Sequence, residues 1–492
     1  MSIDVVTIIL STILAGIIPA PKECHLVDKT VLLSSIIDVR CHICASMPDE
    51  AYTLTVQPSS IRIAAGSNAG AFYALQTLRQ EAFANDGMVF CGTIKDEPRF
   101  AWRGFMLDEA RHFMGEEYVK KTLDLMAYFK MNKFHWHLTD NPGWRIEIKQ
   151  YPNLMSEGAK RVYSDFSRGP QFYTQDQIRR IVDYATERHI EIIPEFDMPG
   201  HATSANRAYP ELSGGYHQVY PNFTFNPGSE DTYKFIDAVL SEIASLFPSE
   251  YVHIGGDEVS FGWDCWKDNK DVQELMRREN LKSLMEVESY FMRRVIAMLD
   301  KYGKKLIGWD DILDLDIDRN HTAVTWFRSE RPDHLDKAAA EGVPVVMSPR
   351  QPNYLDFVQY PGHTQGRTNY EGYYYENTER DMYEFPEKIA GKDGIKQHLL
   401  PNMLGVEACL WTETVANHAR ADYMIWPRLC AVAESGWTIP ENKNYDFFLE
   451  RLDIAYRYLA NNGVSFFDLR LPDSTPEPRA VKKDRIERSE IK

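Results

Sequence analysis

RGFMLDEARHFMGEEYVKKTLDLMAYFKMNKFHWHLTD, residues 103–140, reads as one strand, one helix and a second strand. Its two ends, RGFMLD (103–108) and KFHWHLTD (133–140), are short and largely apolar, and 116–131 between them carries apolar residues at helical spacing. The same alternation continues along the chain. Further runs are IEIIPEFD (190–197), YVHIGGDE (251–258), KLIGWDD (305–311), AVTWF (323–327), VPVVMSP (343–349) and MLGVEACLW (403–411), eight with the first two. Helical patterns lie at 174–189, 229–246 and 282–302, and one at 420–435 is placed to close a ring. Strands alternating with helices make a parallel sheet, and eight such units close on themselves more readily than they stay open. The fold class expected is α/β, a (β/α)8 TIM barrel preceded by a small α+β domain.

The small domain is read from AYTLTVQ (51–57) and IRIAA (61–65), a hairpin across a Pro-Ser-Ser turn, and from NAGAFYALQTLRQEAF (68–83), a helix. The expected division is an apolar segment over 1–16, the small domain over 17–97, the barrel over 98–440, and a C-terminal helix with a polar tail over 441–492. Ile3 to Ile18 is apolar apart from Asp4 and a few small residues, and too short to span a bilayer comfortably. Its apolarity suits a signal-peptide core, whereas Asp4 and the lack of a preceding Lys or Arg speak against one. Export to a periplasmic or extracellular location and a cytoplasmic location both stay open, as does oligomeric state.

With 55 basic and 72 acidic residues the formal charge is −17, which disfavours a nucleic-acid partner, since polyanion binding needs clustered Lys and Arg. Ten Trp and 26 Tyr supply rings that fill core or, gathered in a cleft, stack on the apolar faces of sugars. The seven Cys are odd in number, and only Cys41 and Cys44 have metal-like spacing; with no second pair, no zinc site is expected and most are read as small buried hydrophobes.

Nearly every run ends in polar or aromatic residues: Asp108 and Arg111, His137 and Asp140, Glu195 and His201, Asp257 and Glu258, Trp309 and Asp310, Trp326, Tyr354 and Asp356, Trp411 and Glu413. In a barrel these ends converge on one face, where active sites of this fold lie. Long insertions at 140–173 and 350–386, the second rich in Tyr and Gly, would shape the mouth. HIGGDEV (253–259) sets two glycines before two consecutive carboxylates. Glycine allows the unusual torsions that hold a following side chain in a fixed pose. Ordinary retaining glycosidases need carboxyl groups roughly 5 Å apart on opposite sides of the sugar, a requirement that adjacent residues fit poorly. One carboxyl that protonates the leaving oxygen and one that steers a nucleophile supplied by the substrate fit better.

HIGGDE (253–258), LDEARHF (107–113), HWHLTDNPGWR (135–145), PEFDMPGH (194–201), GWDD (308–311) and EACLWTE (407–413) together resemble glycoside hydrolase family 20, the β-N-acetylhexosaminidases. The likeness covers about residues 100–440, and the segments AYTLTVQ (51–57) and AGAFYALQTL (69–78) are similar to that family's small N-terminal domain. It implies hydrolysis of terminal β-linked N-acetylhexosamine from a glycan, with retention, through attack of the substrate's own acetamide oxygen and an oxazolinium intermediate. Glu258 would be general acid and then base, and Asp257 would hold and stabilise the acetamide. The resemblance further implies Tyr354 on the acetamide oxygen, walls from Trp309, Trp326 and Trp411, hydroxyl binding by Arg111, Asp356 and Glu413, and Asp140 with His201 as a supporting pair. It implies neither metal nor cofactor.

Two rival readings remain. HWH (135–137) has the His-x-His form of metal-dependent amidohydrolase barrels, for which His201 and His253 could be recruited. A sugar-binding protein without catalysis is the other.

Overall fold

The computed structural model describes residues 16–370, 373–389 and 391–482. Strands β1 (Glu23–Leu32), β2 (Asp38–Ile43), β3 (Tyr52–Gln57), β4 (Ser60–Ala65) and β5 (Met88–Asp96) form one sheet in the order β1-β5-β3-β4-β2. The expected hairpin is β3-β4, and helix α1 (Asn68–Ala84) starts where the Ser67 hydroxyl accepts the Ala69 amide at 3.0 Å. Tyr52, Leu54 and Val56, alternate residues of β3, bury against Ile61, Ile63, Tyr73 and Leu78. Strands β1, β2 and β5 escaped the sequence reading. Most of β1 is exposed, and its burial alternates only over the first five residues, Glu23 to Val27, too short a stretch to stand out.

The segment expected at 1–16 lies outside the described residues but for Gly16. The next two residues are core: Ile17 packs in the small domain and Ile18 in the barrel's main cluster, each 1% exposed. Among the described residues no helix is long and apolar enough to cross a membrane.

The barrel is closed and entirely parallel. Its strands are β6 (Trp102–Asp108), β7 (Lys133–His137), β8 (Glu191–Glu195), β9 (Tyr251–His253), β10 (Lys305–Trp309), β11 (Thr322–Trp326), β12 (Val345–Met347) and β13 (Met403–Leu410), paired in chain order with β13 closing on β6. Each corresponds to one of the eight runs. Helices α2 (Glu116–Tyr128), α3 (Gln175–Thr186), α4 (Glu230–Leu246), α5 (Leu284–Lys301) and α6 (Asp333–Glu341) cover the outside. The closing helix expected at 420–435 is instead two, α7 (His418–Ile425) and α8 (Arg428–Trp437). Pro427 separates them, because its ring lacks an N–H and clashes with the preceding turn.

Strand alternation sorts the side chains. Phe105, Leu107, Phe134, Trp136, Val324 and Met347 face the helices in the main core cluster. Inside, Trp102, Ile193, Ile307, Ala323 and Val346 make an apolar floor. Above it lie His135, His253 and Glu407, and at the mouth Met106, Trp309, Phe327, Tyr354, Phe357, Cys409 and Trp411 cluster together.

The small domain docks at the N-terminal ends of β6 and β7, away from the mouth. The Arg103 guanidinium donates to both Glu50 carboxylate oxygens at 2.8 and 3.0 Å. The fully buried Lys130 ammonium donates to Asp96 and to the Tyr52 hydroxyl, each at 2.9 Å, and sits 4.5 Å from the Trp437 ring centre. A buried lysine stays charged only when paired in this way.

Two further expectations are corrected. The tail after the C-terminal helix, α9 (Tyr445–Asn461), is not merely polar: Phe467 is fully buried, and Glu477 accepts the amides of Thr364 and Gln365 at 2.6 and 3.0 Å, strapping the 350–386 insertion. Of the seven cysteines only Cys91, Cys409 and Cys430 are buried; Cys41 is exposed because it lies on the edge strand β2.

Candidate active site

The carboxylate pair stands on a turn that few residues tolerate. After β9 the chain passes through Gly255 and Gly256 at φ +66° and +88°, and Glu258 itself has φ +54°. A side chain at Gly255 would place its Cβ 1.8 Å from Asp197 Oδ1, so only glycine fits there. The strained Glu258 is held by its amide, which donates to Asp311 Oδ2 at 3.3 Å, while Asp311 is fixed by the Arg328 guanidinium at 2.5 and 2.8 Å. The result sets both carboxyls against one imidazole: His201 Nε2 lies 3.7 Å from Asp257 Oδ2 and 3.6 Å from Glu258 Oε2.

Behind His201 a chain of charges runs into the barrel. Its Nδ1 is 3.2 Å from Asp140 Oδ1, and Asp140 Oδ2 accepts from Arg111 at 2.7 Å and pairs with His137 Nε2 at 3.0 Å. His137 Nδ1 in turn pairs with Glu195, which also meets His135 and His253 at 3.0 Å each and accepts the Trp309 indole N–H at 3.0 Å. Burial pushes Glu195 and Asp140 up, but the surrounding cations outweigh it and hold both well below the ordinary carboxylate range. Burial likewise opposes charge on His201, yet Asp140, Asp197 and Asp257 keep it protonated well above the usual value. Asp197 is pushed the other way, well above its ordinary value, by burial and by nearby carboxylates against the pull of His201.

The two carboxyls differ. Burial, with the charges of Glu258 and Asp311, raises Asp257 to about 7 against the pull of His201. Burial also pushes Glu258 up, but the His201 imidazole 3.6 Å away, with Arg111 and Arg350 beyond, leaves it below its ordinary value. Of the two, Asp257 therefore holds a proton more readily in the free site, losing it as pH rises through about 7.

The cup beside them is aromatic. Trp309 and Trp411 lie 5.6 Å apart, Tyr354 is 6.0 Å from Trp411, and Phe327 is 5.5 Å from Trp309 and 6.5 Å from Tyr354. Arg111 rests 4.9 Å above Trp411. Burial raises the Tyr354 phenol well above its ordinary value, so it is neutral and able to donate. Across the cup Asp356 and Glu413 flank Arg367, at 3.2 and 3.9 Å. Burial brings Asp356 up to about 6, Arg367 opposing and Glu413 adding to the rise. Asp257 Oδ1 and Asp356 Oδ1 are buried with no protein hydrogen-bond partner among the described residues, which marks them as acceptors for donors a ligand brings.

Of the residues expected at the site, Asp257, Glu258, Arg111, Asp140, His201, Trp309, Tyr354, Asp356, Trp411 and Glu413 come together. Trp326 does not: it faces the helices, 1% exposed, with its indole N–H donating to Arg331 O at 3.3 Å. The next residue, Phe327, takes the wall position because alternate side chains of a strand face opposite ways. The small Ala323 and Thr325, which suit the narrow barrel interior, could have revealed that phase. Asp197, Asp311, Arg328 and Arg367 were missed. Arg145 was quoted without a role, yet its guanidinium donates to the carbonyls of Glu109, Ala110, Ala159, Arg161 and Gln171 at 2.7–3.0 Å, locking the loop of Arg111 to the 140–173 insertion.

Three groups of described residues bring possible metal-ligand atoms within 4.8 Å of one another: His135, Glu195 and His253; His137, Asp140 and Asp197; and Asp197, His201 and Asp257. Burial opposes charge on His135, yet Glu407 and Glu195 raise it to about 9, and Glu195 with Asp140 holds His137 well above its usual value. Both rings of the β7 His-x-His are hydrogen-bonded to buried carboxylates, His135 to Glu407 at 2.9 Å, and His137 to Glu195 and to Asp140, the latter at 3.0 Å.

A closed eight-stranded barrel whose mouth gathers carboxylates, an arginine and an aromatic cup has the architecture of a barrel glycoside hydrolase. The chain belongs to glycosyl hydrolase family 20: that family's catalytic-domain description matches residues 100–440 and its domain 2 matches residues 36–97. It is 38% identical over 441 residues to a beta-hexosaminidase of Porphyromonas gingivalis, covering 85% of this chain and 55% of that protein. A beta-hexosaminidase of Vibrio furnissii is 37% identical over 419 residues, covering 80% of this chain and 66% of that one. The chain thus spans between about half and two thirds of the length of these two relatives. Among solved structures, a GH20 exo beta-N-acetylglucosaminidase from Vibrio harveyi in complex with N-acetylglucosamine superposes with a TM-score of 0.82 at 32% identity, covering 92% of this chain and 78% of that one.

Proposed function

We propose that this protein is a retaining exo-β-N-acetylhexosaminidase that removes terminal non-reducing β-linked N-acetylglucosamine or N-acetylgalactosamine by substrate-assisted catalysis. The carrying observation is that Asp257 and Glu258 reach the same His201 nitrogen, at 3.7 and 3.6 Å. Both carboxyls therefore lie on one side of the bound sugar, where they cannot act as an acid and an opposed nucleophile.

The substrate's 2-acetamido oxygen then attacks C1 as Glu258 gives its proton to the leaving oxygen. The C1–O bond breaks, and a C1–O bond to the acetamide closes the oxazolinium ring. Asp257 accepts the acetamide N–H and balances the positive charge growing on it, while the Tyr354 hydroxyl donates to the acetamide oxygen and Trp309, Phe327 and Trp411 enclose the ring. Glu258 next takes a proton from water, which opens the intermediate at C1. Arg111, Asp356 and Glu413 bind the sugar hydroxyls.

Substrate binding inverts the protonation of the pair. The sugar covers Glu258, whose side chain is 36% exposed in the free protein, and desolvation raises it. Donation from the acetamide N–H lowers Asp257, so the shared proton moves to Glu258. The free site loses that proton as pH rises through about 7, and kcat/KM for an N-acetyl-β-glucosaminide should fall over the same range. A profile flat to about pH 9 would contradict the shared-proton scheme.

Arg367 keeps Asp356 ionised beside Glu413, so Arg367→Ala should raise Asp356 further above about 6. The expected result is a KM increase of severalfold near pH 6 that shrinks at higher pH, with kcat less affected and Arg367→Lys restoring much of the loss. A KM that does not change with pH in the variant would rule out this charge role.

The direct test of the function is release of a chromogenic aglycone from N-acetyl-β-glucosaminide and N-acetyl-β-galactosaminide. Binding of these sugars without release would instead support a carbohydrate-binding protein.

A further inference from the structure

Among the described side chains, the exposed aromatic rings are Tyr216, 53% exposed, and Phe261, 41% exposed. Neither belongs to the cup, yet both lie in segments attached to the acid side of the site. Phe261 is three residues beyond Glu258 on the turn Val259–Gly262, and its amide donates to the Glu258 carbonyl at 3.0 Å. Tyr216 and the exposed Val219 belong to the loop that follows His201 and leads into Phe223.

From Phe261 a continuous row of rings leads inward. Phe261 stacks on Tyr220 with centres 4.9 Å apart and planes within 14° of parallel. Tyr220 meets Phe223 at 5.6 Å, and Phe223 packs edge-on against His201 at 4.8 Å, on the imidazole that contacts Glu258. The row runs from behind the acid outward to solvent. On the far side of the cup, Asp356, Arg367 and Glu413 close the end assigned to the sugar hydroxyls.

We propose that Phe261, supported by Tyr220, is the binding platform for the sugar residue on the leaving-group side of the scissile bond. This rests on Glu258 being the proton donor. Its carboxyl must meet the glycosidic oxygen, so whatever that oxygen carries lies on Glu258's flank, where Phe261 is fixed by the same turn. A pyranose presents a face of C–H groups that packs on an exposed ring, and two stacked rings give that face a rigid support. Solvent-exposed aromatic surface gathered at one rim calls for a ligand in a way that scattered exposed side chains do not.

The test compares kcat/KM for a β-linked N-acetylglucosamine disaccharide with that for the methyl β-glycoside of N-acetylglucosamine, in the wild type, Phe261→Ala, Tyr220→Ala and Phe261→Trp. The ratio of disaccharide to methyl glycoside should fall about tenfold in Phe261→Ala and by less in Tyr220→Ala, mostly through KM for the disaccharide, and should be retained in Phe261→Trp. An unchanged ratio in Phe261→Ala overturns the platform, whether both substrates are lost together, as for a ring that merely supports Glu258, or neither is. A wild type that hydrolyses neither substrate overturns the glycosidase reading and the platform with it; a wild type that cleaves both while the ratio ignores Phe261 overturns the platform alone.

Discussion

Glu258→Gln is expected to lower kcat/KM for a glycoside with an alkyl or sugar leaving group by about 10²–10⁴-fold, the usual contribution of a positioned general acid. Glutamine keeps the size of the side chain and can still contact His201 from the turn that Asp311 and the two glycines hold, so the substitution removes a proton rather than a structure. The loss should shrink markedly for a leaving group that departs as a stable anion, such as dinitrophenolate. Because kcat/KM reports steps only up to departure of the aglycone, the later role of Glu258 as base does not obscure the comparison. Near-normal rates on alkyl glycosides, or an equal loss on both substrates, would remove Glu258 from the role of acid.

Removing the nucleophile from the substrate should cost at least as much. A β-glucoside with hydroxyl in place of the 2-acetamido group leaves Asp257 with nothing to orient and Tyr354 with no acetamide oxygen to meet. A well-oriented intramolecular nucleophile reaches an effective molarity of roughly 10⁵–10⁸ M, so a nitrophenyl glucoside should be hydrolysed about 10⁴-fold or more slowly than the matching N-acetylglucosaminide. The adjacency of Asp257 and Glu258 offers no protein group to replace that attack from the opposite side of the sugar. Comparable kcat/KM values for the two glycosides would mean that a protein side chain or water does the work.

Both expectations bear on His201, where the structure added most. HIGGDEV alone leaves unstated how two adjacent acids keep different protonation. In the structure one imidazole faces both, backed by Asp140, Arg111 and His137, with the buried Asp197 alongside. Asp197 was legible only as the end of IEIIPEFD, since nothing in its neighbours along the chain reveals that it stands against Gly255. Arg367 gives still less local signal, because it lies on a loop with no periodicity and meets Asp356 and Glu413 only after the insertion folds back under the Glu477 strap.

By itself the sequence determined the eight strands, most of the helices around them and the ends at which chemistry collects, because those properties have short periods: alternation along a strand, three to four residues along a helix, and a polar residue where a strand leaves the core. It also determined that the acid pair is adjacent. Only the tertiary structure decided which side chains face one another. Ring closure sets β13 beside β6 and brings Trp411 over Arg111, residues 300 apart in sequence, and the phase of one strand exchanges Trp326 for Phe327. Contacts of that range depend on how a barrel of fixed circumference meets its own first strand, and no window along the chain contains that information.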